Sequence, residues 1–490
     1  MVNIIIELSK YMMIVLITMY TYICFSIFGY QDPERKKSML RTQNMLMFMI
    51  HITAYLVMYL QTEDLKMLMF YGMQVALFAA IILLYSVLYP KVSRLIVNNM
   101  CMLLCIGMIM LTRLDYASAV KQFIIAAAAI VISLFVPVII RKFRFLSEWR
   151  NIYAIAGLVS LIAVIIVGRV SYGAMLGFEI AGISIQPSEL VKIIFVFYVA
   201  SSFKISREFK DIVITTAIAA MHVLILVVSK DLGAAFIIFT VYLTMLYVAT
   251  RQPLYVIAGL SGGSVAAVIA YKLFNHVRVR VLAWKDPFAA YDIGGYQVAQ
   301  SLFAIGTGSW FGMGLFQGMP ETIPVAESDF IFSAISEEMG LIFALCMILV
   351  CVSCYVMFLN IAMQLRNMFY KLVALGLGTC YIFQVFLNIG GVTKFIPSTG
   401  VTLPLVSYGG SSLLSTLIMF GIIQGLYIVR EDEEETIERK KKQRLRAERG
   451  GQEVKARTGK ARDVRERAPG SRQGRPPQEK KKARTQQRVR

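Results

Sequence analysis

Acidic residues and histidine are scarce in this chain. Its 490 residues carry 30 acids against 50 bases and only 3 histidines. The histidines, His51, His222 and His276, are scattered, with no H-x-x-x-H or Cys–His spacing, which argues against a zinc site held by the protein. Cysteine is also uncommon. The 7 present (Cys24, Cys101, Cys105, Cys346, Cys351, Cys354 and Cys380) are odd in number and all fall within apolar runs. They read as small packing residues and not as a disulfide framework. Charged residues make up 16% of the chain, well below the usual quarter, and apolar residues 57%, which excludes an ordinary soluble protein. No small-residue cleavage site follows the first apolar run, so that run is expected to be a retained span and not a secretory signal.

What is abundant is apolar sequence of bilayer-crossing length. Thirteen segments are expected to span, near 11–29, 44–60, 67–89, 95–112, 118–140, 152–168, 188–203, 211–228, 231–249, 255–273, 329–358, 370–391 and 409–428. Every second connection is basic: Arg35, Lys36, Lys37 and Arg41; Lys91 and Arg94; Arg141, Lys142, Arg144 and Arg150; Lys204, Arg207 and Lys210; Arg251; Arg366 and Lys371. The positive-inside rule puts these loops in the cytoplasm, with the N-terminus outside and the C-terminus inside. A polar loop of about 55 residues, 274–328, then lies outside, facing the periplasm or cell wall of a bacterium. Beyond Arg430 an acidic run gives way to a tail rich in Lys and Arg, including Arg439–Lys442 and Lys480–Lys482. This composition is expected to stay unstructured and to meet anionic lipid headgroups; no nucleic-acid partner is expected.

Asp329 stands where the long outer loop meets the next apolar segment. A carboxylate there has two readings: a helix N-cap, or a functional group placed at membrane depth at a cost. Lys192 and Asp231 lie at the outer ends of their own segments, on the same side as Asp329. Intramembrane ionisable groups usually face the protein interior and mark a substrate path, although a lysine also snorkels.

Four stretches carry a pattern: Gln186-Pro187-Ser188-Glu189 running to Lys192; Asp231-Leu232-Gly233; Tyr296 to Ser301, leading through a glycine-rich stretch to Ser328-Asp329-Phe330 and Glu337-Glu338-Met339-Gly340; and Pro397-Ser398-Thr399-Gly400 running to Ser407-Tyr408-Gly409-Gly410. In order, spacing and side of the membrane these resemble the SEDS family (shape, elongation, division and sporulation; FtsW, RodA and SpoVE) over roughly residues 95 to 428. The resemblance implies an all-α polytopic fold with a core of ten spans within 91–430, preceded here by about three extra spans in 1–90 and followed by the tail 431–490. It departs from the family pattern at Val325 and Glu327, where a Glu and a His are common, and at Ser229-Lys230 before Asp231.

The resemblance further implies a peptidoglycan glycosyltransferase that polymerises lipid II, the undecaprenyl-diphosphate-linked disaccharide-pentapeptide, into nascent glycan. Asp329 would then be the general base. Lys192 and Arg280 would contact the diphosphate, Glu189 would hold Lys192 one turn away, and Asp231 would orient basic groups or help hold an ion. Gln300 and Ser407 would be substrate-contacting. Mg²⁺ or Mn²⁺ bridging the diphosphate is expected, with no organic cofactor and no assigned protein metal ligands. The expected partner is a class B penicillin-binding protein. A lipid II flippase and a scaffold for cell-wall machinery remain the alternative readings, since internal charges and broken helices suit transporters too.

Overall fold

A computed structural model describes residues 2–167, 169–171, 174–180 and 183–466. The chain is a multi-pass helical membrane protein. The first three helices, α1 (Val2–Ser26), α2 (Pro33–Thr62) and α3 (Leu65–Leu88), precede α4 (Arg94–Leu114) and α5 (Tyr116–Lys142). α4 is buried along its apolar length, while α5 keeps one face outward. After α6 (Arg150–Val167) comes a small antiparallel sheet in the order β1 (Arg169–Ser171), β2 (Ala174–Ile180), β3 (Ile183–Ile185). This sheet was not expected from the sequence. Val170, Phe178, Ile180, Ile183 and Ile185 are strand-favouring types, but the run is too short and glycine-broken to announce strands.

α7 (Pro187–Ile205), α8 (Phe209–Val228), α9 (Leu232–Thr250) and α10 (Pro253–Leu273) follow. α10 buries none of its residues, as a helix facing lipid would. The 274–328 loop is itself helical in part, with α11 (Asn275–Lys285) and α12 (Tyr296–Gly308). Then come α13 (Ile331–Met339), α14 (Leu341–Gln364), α15 (Met368–Val392) and α16 (Gly410–Glu466).

Among the described residues, eleven helices are long and apolar enough to cross a membrane. α6 is shorter, and α7 carries three charged residues, Glu189, Lys192 and Lys204; with these two, each expected segment has a helix. One boundary is corrected. The segment expected at 329–358 is broken at Gly340 (φ 89°), so that its span is α14 and α13 is a separate, fully buried helix. A Cβ on Gly340 would lie 2.5 Å from the Gly312 amide nitrogen, so the break and the close approach of the glycine-rich loop require the same residue. The tail also differs from expectation. α16 continues to Glu466, assisted by i,i+4 pairs such as Glu435–Arg439 at 3.7 Å, which support a helix without a core. Lys480–Lys482 lie outside the described residues.

In lipid, helices gain little from hydrophobicity against each other, so packing and polar bonds must hold them. The first two helices use both. Tyr20 donates to Asn99 (3.1 Å), which in turn donates to Ser353 (3.1 Å); Asn98 donates to Gln43 (3.2 Å), and Tyr55 pairs with Thr112 (2.8 Å). At the start of α1, Lys10 Nζ donates to the Gly312 carbonyl at 3.2 Å, which puts that end of the helix on the same face as the 274–328 segment. All seven cysteines are buried and free.

Candidate active site

The site forms where the ends of α7, α9 and α15 meet the 393–409 connection. Pro187 at the first turn starts α7, leaving Glu189 and Lys192 one turn apart on one face. Their side chains form a buried ion pair of 2.9 Å. Lys192 Nζ also donates to Gln384 Oε1 (2.7 Å), and Ser415 donates to Glu189 Oε2 (3.0 Å). Gln384 passes the network on by donating to the Thr402 carbonyl at 3.1 Å. Each charge thus has a partner and directional bonds, which a buried pair needs to offset its desolvation.

Asp231 caps α9, accepting the Ala234 amide on Oδ1 (3.0 Å), while Oδ2 accepts from Gln186 Nε2 (3.1 Å) and Ser188 Oγ (2.8 Å). The start of α9 is thereby tied to the start of α7. Glu189, Lys192 and Asp231 line one cavity of about 330 Å³, together with Lys121, Gly400 and Thr402 among others.

Asp329 lies beyond Gly400. A Cβ on Gly400 (φ 73°) would sit 3.5 Å from both Arg280 Nη2 and Asp329 Oδ2, so the two charged groups flank one point at the cavity's edge. Asp329 does not cap a helix: the N-cap position of α13 is Phe330, and the Asp329 carboxylate instead accepts from Ser328 Oγ at 3.3 Å. The main chain around it is gripped at three places. Asn388 Nδ2 donates to the Asp329 carbonyl (2.8 Å), Ser407 Oγ to the Ser328 carbonyl (2.5 Å) and the Tyr408 amide to the Glu327 carbonyl (2.8 Å). Burial pushes the Asp329 carboxyl above the usual carboxylate range; the Ser328 bond and the Arg280 guanidinium pull it back, and Glu327 adds to the rise. Arg280, on α11, donates to the Ser398 carbonyl at 3.3 Å, and burial pulls its pKa the other way, below the usual arginine value.

Two of the sequence-derived positions stand apart from this group. Gln300 donates to the Tyr291 hydroxyl on the outer segment and does not line the cavity. The Ser407 hydroxyl is already committed, donating to Ser328 and accepting the Leu403 amide (2.8 Å), so it acts on the Asp329 loop. Among the described residues no group of three or more His, Cys, Asp or Glu could hold a metal.

Other residues went unnoticed in the sequence. Gln384 and Asn388 are polar positions four apart on the mostly apolar α15, a spacing that marks one inward helix face. Arg113 is a lone base at the outer end of α4, where the charge rule leaves few. It bonds Glu338 (2.9 Å) and Glu321 (2.7 Å), while Glu338 and Glu337 accept the Phe316 and Met319 amides. These acids of the Glu337-Glu338 motif therefore hold the glycine-rich loop.

Comparison with known proteins agrees with this architecture. The cell cycle protein family of FtsW, RodA and SpoVE matches residues 93–431. A peptidoglycan glycosyltransferase RodA of Mycobacterium tuberculosis is 33% identical over 68% of this chain and 77% of its own length. A probable peptidoglycan glycosyltransferase FtsW of Buchnera aphidicola is 32% identical over 57% of this chain and 82% of its own length. In fold, the chain resembles a structure described as a peptidoglycan synthase complex coordinating polymerization and crosslinking, with a TM-score of 0.59 at 24% identity over 69% of this chain and 98% of that one. The crystal structure of the Thermus thermophilus rod shape determining protein RodA gives 0.51 at 20% identity, over 69% and 96%. This chain is a member of the FtsW/RodA/SpoVE family.

Proposed function

We propose that this chain is a peptidoglycan glycosyltransferase that polymerises lipid II at the outer face of the bacterial cytoplasmic membrane. The observation that carries this reading is the pairing of a half-buried Asp329 with Arg280 across Gly400, at the edge of a cavity holding a second cation, Lys192. Asp329 takes the proton of the acceptor sugar hydroxyl as its oxygen bonds the donor's anomeric carbon. The carbon–oxygen bond to the diphosphate breaks as that bond forms, so a single displacement inverts the anomeric configuration. A diphosphate leaves with little need of protonation, but its growing negative charge needs cations. Arg280 supplies one, and Lys192, held by Glu189 and Gln384, supplies another from the cavity wall. One carboxylate with cations then suffices, unlike the two carboxylates of glycoside hydrolases.

A raised pKa suits Asp329 to this role, because a base nearer neutrality accepts a proton more readily. Asp231 fits the task of a metal ligand poorly, since both its oxygens accept from protein donors; it is read as a positioning carboxylate. Mg²⁺ or Mn²⁺ on the diphosphate is proposed to arrive with substrate and water as ligands, and no step above depends on it. Substrate contacts by Gln300 and Ser407 have less support, given the bonds that occupy them.

The orientation proposed is outside for the N-terminus and inside for the C-terminus, on the basic-loop rule. A single-span class B penicillin-binding protein is the proposed partner, and the basic tail is proposed to rest on anionic lipid. The deciding experiment supplies lipid II only to the outer side of vesicles containing the purified chain and that partner. Glycan product supports the polymerase; transfer of lipid II without product would favour a flippase.

A further inference from the structure

At the opposite end of the bundle, the ends of α7, α9, α14 and α15 surround a second and larger cavity of about 760 Å³. α7 and α9 both start at the first cavity and finish here, so helices of 19 residues separate the two by about 28 Å. Arg207, Arg251 and Lys371 stand around this second cavity. None forms an ion pair among the described residues; Arg207 donates only to the Phe203 carbonyl, at 3.2 Å. Glu208 and Asp211, the acids nearest in sequence, do not line the cavity.

The rest of the wall is largely apolar and open sideways, with Met363 72% and Tyr247 50% exposed. Lys371 lies in the first turn of α15, where the helix dipole disfavours a cation, so helix stability does not explain its position. A small soluble anion would satisfy the three cations but leave the apolar wall wet. An acylated anion satisfies both, with its charge at the depth where spans end and headgroups begin.

We propose that this cavity binds an anionic phospholipid, with Arg207, Arg251 and Lys371 holding the headgroup phosphate and the acyl chains lying over Tyr247 and Met363. On the basic-loop orientation the lipid belongs to the cytoplasmic leaflet. The full-length chain is purified in detergent and titrated with phosphatidylglycerol or phosphatidylcholine, and bound lipid is counted by native mass spectrometry. Phosphatidylglycerol is retained preferentially. Arg251→Gln and Lys371→Gln each weaken that retention about fivefold, and the triple variant with Arg207→Gln weakens it on the order of a hundredfold, at roughly one charge contact per cation. The tail is present in every variant, so the differences report the cavity alone. Equal retention by wild type and triple variant overturns the proposal. So does displacement of the lipid by millimolar inorganic phosphate, which assigns the site to a soluble anion. Should the triple variant not fold, the two single variants decide, and unchanged affinity in both overturns the idea. No turnover is measured, so failure here and failure of the polymerase reading are separate results.

Discussion

Replacing Asp329 by Asn removes one proton acceptor and almost nothing else. The anchors of this loop grip main-chain carbonyls of Glu327, Ser328 and Asp329, which the substitution leaves in place. The amide oxygen still accepts from Ser328, so the loop keeps its position and the loss is chemical. General-base catalysis contributes about 10²–10⁴ in rate, or roughly 2.7–5.5 kcal/mol of barrier. Glycan synthesis from lipid II by Asp329→Asn is therefore expected to fall by that factor, with KM within a few-fold of wild type. The wild-type rate falls on the acid side as pH drops through the raised pKa of Asp329, above the ordinary Asp value of about 3.9, and the variant lacks this limb. Because burial raises that pKa in the fold, protonated Asp329 contributes stability that is complete below about pH 3.9 and lost as pH rises through the folded value. At neutral pH the ionised carboxylate strains the fold, and Asn relieves it. Thermal unfolding in detergent is expected at or above the wild-type temperature. A variant that still makes glycan at the wild-type rate, or that loses activity only because it unfolds, would falsify the assignment.

Lys192→Met leaves Glu189 buried without its cation and is expected to destabilise the fold by about 3–5 kcal/mol, whereas Glu189→Gln together with Lys192→Met recovers much of the melting temperature but not polymerisation. Asn388→Ala frees the Asp329 carbonyl; a drop of about tenfold in kcat with little change in KM is expected from steady-state assays, and an unchanged kcat would remove Asn388 as a positioning residue. Gly340→Ala forces a Cβ into the Gly312 backbone at a positive φ, so loss of folded protein in fluorescence-detected size-exclusion chromatography is expected.

The spans were readable because length and apolar content decide them, and the alternation of basic loops fixed a consistent odd count. The charged site residues were readable because a Lys or Asp in apolar sequence needs a reason. The break at Gly340 was hidden, since Ile331 to Gln364 is apolar nearly throughout and only the approach of residue 312 demands the turn. Asp231 and Asp329 illustrate a second limit. A cap is one sequence reading of Asp329, yet it is Asp231 that caps; the helix after Asp329 begins a residue late because the 327–329 backbone is held by Asn388, Ser407 and Tyr408 from distant elements. Contacts of that kind depend on tertiary packing, and local pattern does not carry them.

The bond from Lys10 to Gly312 joins residues 302 positions apart. At roughly 5–20 residues per second of synthesis, α1 is in the bilayer for about 15–60 s before the loop it holds has been made. During that interval Lys10 has its i,i+3 neighbour Glu7, at 2.7 Å, and the adjacent Tyr11 ring as near partners. α1 is thus inserted well before its contacts are complete. A chain interrupted before the outer segment would carry an α1 packed on α2 and α4 but lacking its later partners, a state open to quality-control proteases for as long as translation is stalled.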